Sequence, residues 1–318
     1  MLEEFDLFSF STPKFKIDKP IRLIELFAGI GAQAKALENL GVQFEHHKVV
    51  EIEKYAMMSY NAIHNTNFET SDICKLHAED LEITDRDKYT YIMTYSFPCQ
   101  DLSLAGNQKG MTKGSGTRSG LLWEVERILD ECNGNLPQVL LMENVPQVIG
   151  KKNIKDFQKW RAKLETLGYS NAVKILNSKE IGYPHPIPQN RARCFMVSIL
   201  GDYHYSFPKK QKLELRLKDL LEDKVDERYY LSDKALQGFV SRNERYGHDM
   251  WKPKDGEEEA STTLSRVPTG TCDNYVVSGY IEKGTGEHQS NKVYSSGDES
   301  SVTLQGNSKS FVNILVDE

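Results

Sequence analysis

Residues 21–31 read Ile-Arg-Leu-Ile-Glu-Leu-Phe-Ala-Gly-Ile-Gly. The first seven are apolar except at Arg22 and Glu25, which is the length of one buried strand. The stretch then breaks into two glycines and is followed by the helical pattern Ala32–Leu40, which stops at Gly41. Such a strand–turn–helix lets backbone approach a ligand and leaves helix N–H groups facing it. A lone G-x-G also fits a plain tight turn. Glu51 tips the balance, twenty positions after Gly31 and at the end of the next predicted strand, Gln43–Val50. A carboxylate there can accept hydrogen bonds from both ribose hydroxyls of an adenosine cofactor. In Ser71-Asp72-Ile73, Asp72 is placed to take the adenine amino group. Ala34 stands at the third, alanine-tolerant position of the dinucleotide fingerprint, so a nicotinamide cofactor stays open on these residues alone.

Working outward, short apolar runs alternate with helical stretches. Strands are expected at Tyr91–Tyr95, Gln138–Met142, Ala172–Leu176 and Cys194–Ile199. Helices are expected over Lys54–Ile63, Leu121–Glu131 and Lys155–Leu167. That alternation means βαβ units, an α/β fold with a mostly parallel sheet. The last two strands have no long helix between them and suit an antiparallel pair at the sheet edge. Residues 1–20, polar and broken by Pro13 and Pro20, read as a mobile leader; 21–200 form the α/β domain. Residues 201–318 read as a smaller, loop-rich, β-containing domain. There Ser-Thr-Thr-Leu (261–264) before Asn-Tyr-Val-Val (274–277) is echoed by Ser-Val-Thr-Leu (301–304) before Asn-Ile-Leu-Val (313–316). Two similar hairpins or chance would produce it equally.

Composition narrows the class. The chain has 318 residues, 39% of them hydrophobic, and no apolar run long enough for a membrane helix. Its acidic start is neither a signal nor a transit peptide. Five cysteines, an odd number with no C-x-x-C pair, argue against a disulfide framework or zinc site and for a reducing cytoplasm. A net charge of −6 argues against a generic nucleic-acid binder, so any DNA contact must rely on local basic clusters. Candidates are Lys109, Lys113 and Arg118; Lys151, Lys152 and Lys155; and Lys209, Lys210 and Lys212. A solvated face explains each equally, and better for the last.

Three further motifs sit at predicted strand ends. Tyr-Ser-Phe-Pro-Cys-Gln (95–100) puts Cys99 directly after a proline that ends its strand. Glu143-Asn144-Val145 follows the Gln138–Met142 strand, where a partly buried carboxylate can hold or deliver a proton, or merely cap a helix or form an ion pair. Gln189-Asn190-Arg191-Ala192-Arg193 alternates two arginines in an extended segment, so they share a face suited to a phosphate, or to a carbonyl plus a carboxylate.

Together, Phe-Ala-Gly-x-Gly (27–31), Pro-Cys-Gln (98–100), Glu-Asn-Val (143–145) and Gln-x-Arg-x-Arg (189–193) resemble, in content and order, the cytosine-5 DNA methyltransferases of bacteria and phages. The resemblance spans residues 21 to about 200. It implies a Rossmann-like methyltransferase sheet that binds S-adenosyl-L-methionine through Phe27, Gly29, Gly31, Glu51, Ile52, Asp72, Ile73, Pro98 and Leu121. It further implies that Cys99 adds to C6 of a flipped cytosine, that Glu143 contacts N3 and the exocyclic amine, and that Arg193 orients the base with Arg191 in support. The Gln100–Arg118 segment, with Gly106, Gly110, Gly114 and Gly116, is similar to the family's mobile loop. Gln100, Lys109, Lys113 and Arg118 are then the DNA-contact candidates on double-stranded DNA. Metal ligands are not expected, and Cys74, Cys132, Cys194 and Cys272 are left to packing. The location implied is the cytoplasm of a bacterial or phage-infected cell.

The family's Leu-Thr-Pro-Arg-Glu-like segment and C-terminal Gly-Asn-Ser-Val helix do not occur in the sequence. A second polypeptide that completes the pocket, a truncated gene and a partial sequence are equally compatible with this, and an active enzyme is expected ahead of an inactive cofactor- or DNA-binding fragment. A tRNA-modifying branch of the family carries Cys-Phe-Thr, absent here, and ranks lower. A nicotinamide oxidoreductase leaves Pro98-Cys99 and the two arginines unexplained. Target choice is expected in the region after Gly201, with Arg242, Arg245, Arg266 and Lys283 as candidate contacts.

Overall fold

The computed structural model describes residues 13–102 and 109–221, and three two-residue strands beyond them. The chain divides into two compact units: residues 1–176 with 192–208, and residues 177–191 with 209–318.

In chain order the first unit holds β1 (Ile21–Leu26), α1 (Ala32–Asn39), β2 (Phe44–Val50), α2 (Lys54–His64), β3 (Thr90–Tyr95), α3 (Leu122–Glu131), β4 (Val139–Asn144), α4 (Ile154–Thr166) and β5 (Tyr169–Asn177). After β6 (Gln189–Asn190) of the second unit, β7 (Ala192–Leu200) returns to the sheet. The strand order is β2-β1-β3-β4-β7-β5. Strands β1 to β4 are parallel, and β7 is antiparallel to β4. The two final strands are neighbours with β5 at the edge, as their missing crossover helix implies.

Alternation along the strands builds two apolar layers. Ile24 and Leu26, with Tyr91, Met93 and Tyr95, face the cluster completed by Leu122, Val125 and Ile128 of α3 and Phe157, Trp160 and Leu164 of α4. Ile21, Leu23 and Ile92 face the opposite way, against Ala34 and Leu37 of α1. All six residues of β3 are buried, as expected of a central parallel strand covered on both sides. Residues read as a mobile leader are partly pinned to this unit: the Pro13 carbonyl accepts from His204 N–H at 3.1 Å, and Phe15 meets the Tyr203 ring edge-on.

Glu25 also points to the α1–α2 side and is buried. Its carboxylate accepts from the Tyr60 hydroxyl at 2.6 Å and from Ala34 N–H at 3.2 Å. Burial pushes the carboxyl up, against the lowering effect of those two bonds. The folded chain therefore keeps this proton at a pH where the unfolded chain, near 4.5, has lost it. The associated stability is present below that pH and is lost as pH rises through the folded value. Glu25→Gln should remove this loss. In thermal melts from pH 5 to 9, the midpoint of the variant minus that of the wild type should rise with pH; parallel curves would contradict the assignment.

In the second unit β6 pairs parallel with β8 (Ala260–Ser261), and β9 (Val276–Val277) pairs antiparallel with β10 (Leu304–Gln305). The rest of the two expected hairpins, and Arg242, Arg245, Arg266 and Lys283, lie outside the described residues. Among the described residues no helix is long and apolar enough to cross a membrane.

Candidate active site

The strand order reverses at β1: the chain steps outward from β1 to β2, then crosses back to β3 on the other side. Open α/β sheets form their binding crevice at such a switch, outside the carboxyl ends of the strands. Leu26 and Tyr95 are in register there, so the loop after β1 and the Pro-Cys turn after β3 emerge side by side. Because β7 runs backwards, its start meets the end of β4, with Glu143 opposite Phe195 and Asn144 opposite Cys194. One sheet edge thus gathers Phe27–Gly31, Ser96–Cys99, Glu143 and Arg193.

The loop after β1 is bent by left-handed residues at Phe27 (φ 58°), Gly29 (58°) and Gly31 (83°). For Phe27 this is an uncommon conformation, and such residues gather at ligand clamps. Gly29 N–H donates to Glu51 Oε2 at 2.9 Å, while Glu53 N–H donates to Oε1 at 2.8 Å. The Glu51 carboxylate is thereby fixed, yet each oxygen keeps a second lone pair for a ligand hydroxyl. Asp72 Oδ1 accepts from Cys74 N–H at 3.0 Å and caps the short helix Ile73–Lys75, in which Ile73 is buried. Ile52, 68% exposed, lines a cleft of about 750 Å³ with Phe68, Ser71 and Asp72. Among the described residues the buried Ser71 hydroxyl finds no partner. An apolar side chain open to the cleft, a carboxylate and an orphaned hydroxyl fit an adenosine group.

Cys99 is half-buried and packs against the main core. Its turn is held from three sides. Ser119 Oγ donates to the Pro98 carbonyl at 2.6 Å, Asn144 Nδ2 donates to the Phe97 carbonyl at 2.9 Å, and Gln33 Nε2 donates to Ser96 Oγ at 2.9 Å. Asn144 is buried and also accepts Val145 N–H on its own Oδ1, so its side chain is locked between β4 and the Pro-Cys turn.

Glu143 lies inside β4, not after it, because pairing with β7 carries the strand two residues beyond Met142. Arg193 Nε is 3.0 Å from Glu143 Oε1, and Arg193 Nη1 donates to the Ala192 carbonyl at 2.8 Å. Both side chains are largely covered, at 16% and 24% exposed. The pairing holds the carboxylate in one orientation. Arg191 does not share a strand with Arg193: the chain breaks between β6 and β7 at Arg191, which belongs to the second unit.

A family model for C-5 cytosine-specific DNA methylases matches residues 21–311. The chain belongs to that family. An orphan methyltransferase of Spiroplasma monobiae, M.SssI, is 37% identical over 271 residues, covering 68% of each protein. The type II methyltransferase M2.ScrFI of Lactococcus lactis subsp. cremoris is 35% identical over 264 residues, covering 68% of this chain and 71% of its own. Among solved structures, the Dnmt2 methyltransferase of S. pombe superposes with a TM-score of 0.62 at 20% identity, over 83% of this chain and 78% of that one, a likeness of fold. The chain is a DNA cytosine-5-methyltransferase with a Rossmann-like α/β sheet.

In this methylase the segment after Cys99 is tied at its base by a residue the sequence did not single out. Asp101 is buried; its Oδ2 accepts the N–H groups of Arg118 at 2.9 Å and Ser119 at 3.4 Å, and its carbonyl accepts Gly110 N–H at 2.9 Å. Residues 103–108 between these ties lie outside the described residues. Asp101→Ala should strand two N–H groups, costing about 1–3 kcal/mol. A urea melt and amide exchange at residues 118 and 119 would read it; unchanged protection there would contradict it.

Three of the four DNA-contact candidates are already engaged within the methylase. Arg118 Nη1 donates to Gln100 Oε1 at 3.1 Å, and both are at the surface. Lys113 pairs with Glu126 at 2.5 Å and lies over Trp123, on a separate cleft that Leu121 also lines. Lys109 is exposed. Of the other cysteines, Cys132 and Cys194 are packed thiols that burial pushes up to about 11 and about 12, with the Glu143 charge adding to the second. Cys74 is exposed, which corrects its assignment to packing, and Cys272 lies outside the described residues. Glu38, His46 and His64 bring ligand-type atoms within 4.8 Å of one another behind the glycine loop. The two His64 ring nitrogens there face protein acceptors.

Proposed function

We propose that the chain methylates C5 of a flipped cytosine in double-stranded DNA through a covalent bond from Cys99 Sγ to C6. One observation carries the reading: the Asn144–Phe97 bond at 2.9 Å joins the strand end bearing Glu143 to the turn bearing Cys99. A thiol and an oriented carboxylate are thereby held by one buried link. Cytosine C5 is a poor nucleophile, and addition of the Cys99 thiolate to C6 pushes electron density onto C5. Glu143, fixed by Arg193, hydrogen-bonds N3 and the exocyclic amine and stabilises charge developing on the ring. The base must leave the duplex to reach the thiol.

Phe27, Gly29, Gly31, Glu51, Ile52, Asp72, Ile73 and Pro98 would hold S-adenosyl-L-methionine. When bound, it supplies an electrophilic methyl on a sulfonium. Glu51 receives the ribose hydroxyls, and Ile52 and Asp72 meet the adenine face and amino group. Arg191, as support for Arg193, and Leu121, as part of this group, belong here only through the family resemblance. Gln100, Lys109, Lys113 and Arg118 would contact DNA, the last two after exchanging their present partners. The comparisons lend no support to a second polypeptide. Bacterial relatives favour action in a bacterial cytoplasm.

The test is a duplex carrying 5-fluorocytosine, supplied with S-adenosyl-L-methionine. Fluorine at C5 cannot leave as a proton, so the sulfur–carbon bond persists. Mass spectrometry should find the duplex attached at residue 99. Attachment elsewhere, or none under conditions where tritiated methyl is transferred to ordinary DNA, would overturn the covalent route.

A further inference from the structure

Behind the glycine loop lies a polar cluster with no part in the chemistry above. His64, the last residue of α2, has a side chain that is 0% exposed. Its Nδ1 is 2.8 Å from Glu38 Oε1 on α1, and its Nε2 is 3.2 Å from the Ile30 carbonyl in the loop itself. Both partners are acceptors. Although burial opposes it, bonds from His64 and Lys35 hold the Glu38 carboxyl below its usual range, so Glu38 brings no proton. A neutral imidazole has one N–H and can satisfy only one of these acceptors; the imidazolium satisfies both. The fit is close. A Cβ on Gly31 would lie 2.2 Å from His64 Nε2, so the ring fills the space beneath that glycine.

Titratable and charged groups face His64 from each packed element: Glu25 from β1, Glu38 from α1 with Lys35 bonded to it, His46 from β2 and Tyr60 from its own helix. Glu25 and Tyr60 bond each other at 2.6 Å, and His46 Nδ1 meets the Tyr60 hydroxyl at 2.7 Å. Burial first, then the charge of His64, pushes His46 down, so His46 is the neutral ring of the pair.

We propose that His64 is a positioning residue for the cofactor loop: its buried ring bridges Glu38 and the Ile30 carbonyl, and cofactor affinity falls when that bridge is removed. The inference rests on reading Phe27–Gly31 as the S-adenosyl-L-methionine loop.

The test measures the dissociation constant for S-adenosyl-L-methionine by calorimetry, alongside kcat and KM for DNA. His64→Phe should bind the cofactor about tenfold more weakly, the worth of one hydrogen bond to a charged group, with kcat at saturating cofactor and KM for DNA within about twofold. His64→Gln, whose amide N–H can still donate to the Ile30 carbonyl, should stay within about threefold of wild type. A tenfold loss in His64→Gln would overturn the proposal even if His64→Phe fails to fold. So would a His64→Phe variant that binds like wild type, or one that loses kcat and both binding steps in parallel. A wild type that binds no cofactor would instead remove the reading of the loop.

Discussion

Replacing Cys99 by alanine is expected to lower methyl transfer at least about a thousandfold, roughly 4 kcal/mol of transition-state stabilisation. The size follows from the route. With no sulfur to add at C6, C5 has no source of electron density, and Glu143 and Arg193 have no developing charge to stabilise. Loss of a half-buried side chain in a turn held by Ser119, Asn144 and Gln33 should leave that turn in place. The variant should therefore bind S-adenosyl-L-methionine and DNA within a few-fold of wild type while failing in single-turnover transfer. Cys132→Ala is the control: its thiol is buried at the end of α3 and pushed up to about 11, so it should cost stability and spare the rate. A Cys99→Ala rate within tenfold of wild type would mean that the chemistry does not pass through this sulfur.

Gly31→Ala should be the most damaging change in the loop after β1. The residue has φ 83°, where a side chain costs about 1–2 kcal/mol. The added Cβ would also meet His64 Nε2 at 2.2 Å and Tyr60 Cε2 at 2.7 Å. Neither ring can swing away, for His64 is bonded at both nitrogens and Tyr60 at its hydroxyl. Overpacking of that kind adds about 1–3 kcal/mol. Gly29→Ala supplies the contrast, because its backbone is also left-handed but its Cβ would meet nothing within 4 Å. Urea melts should place Gly31→Ala below Gly29→Ala by about the overpacking difference. Equal losses would show that backbone conformation, not the packed histidine, makes glycine necessary at position 31.

The sheet was legible because its strands announce themselves by burial on both faces. Ile21–Phe27 and Tyr91–Tyr95 read as largely apolar runs, and their ends fall within a residue of the structure. The end of β4 was misjudged because Glu143 and Asn144 are polar, and only pairing with a strand fifty residues later keeps them extended. Arg191 and Arg193 read as one extended segment because a break between two strands leaves no mark in a Gln-x-Arg-x-Arg spacing. Cys99, Glu143 and Arg193 were readable as types at strand ends. The residues that hold them were not: Ser119 lies twenty-one positions from the carbonyl it binds and Asn144 forty-seven from its own, with no local pattern to mark either. His64 is a plain helix terminus in sequence, and its contact with Ile30 is made by the packing of α2 under the β1 turn.

The route of the chain between the two units has a practical consequence for dissecting this methylase. The polypeptide changes unit three times, after residues 176, 191 and 208. No single cleavage can therefore separate them. A fragment ending at 208 would carry β6 without β8, the strand it pairs with, and a fragment starting at 209 would lack β6 altogether. Exchanging the second unit on this scaffold thus requires replacing two stretches at once.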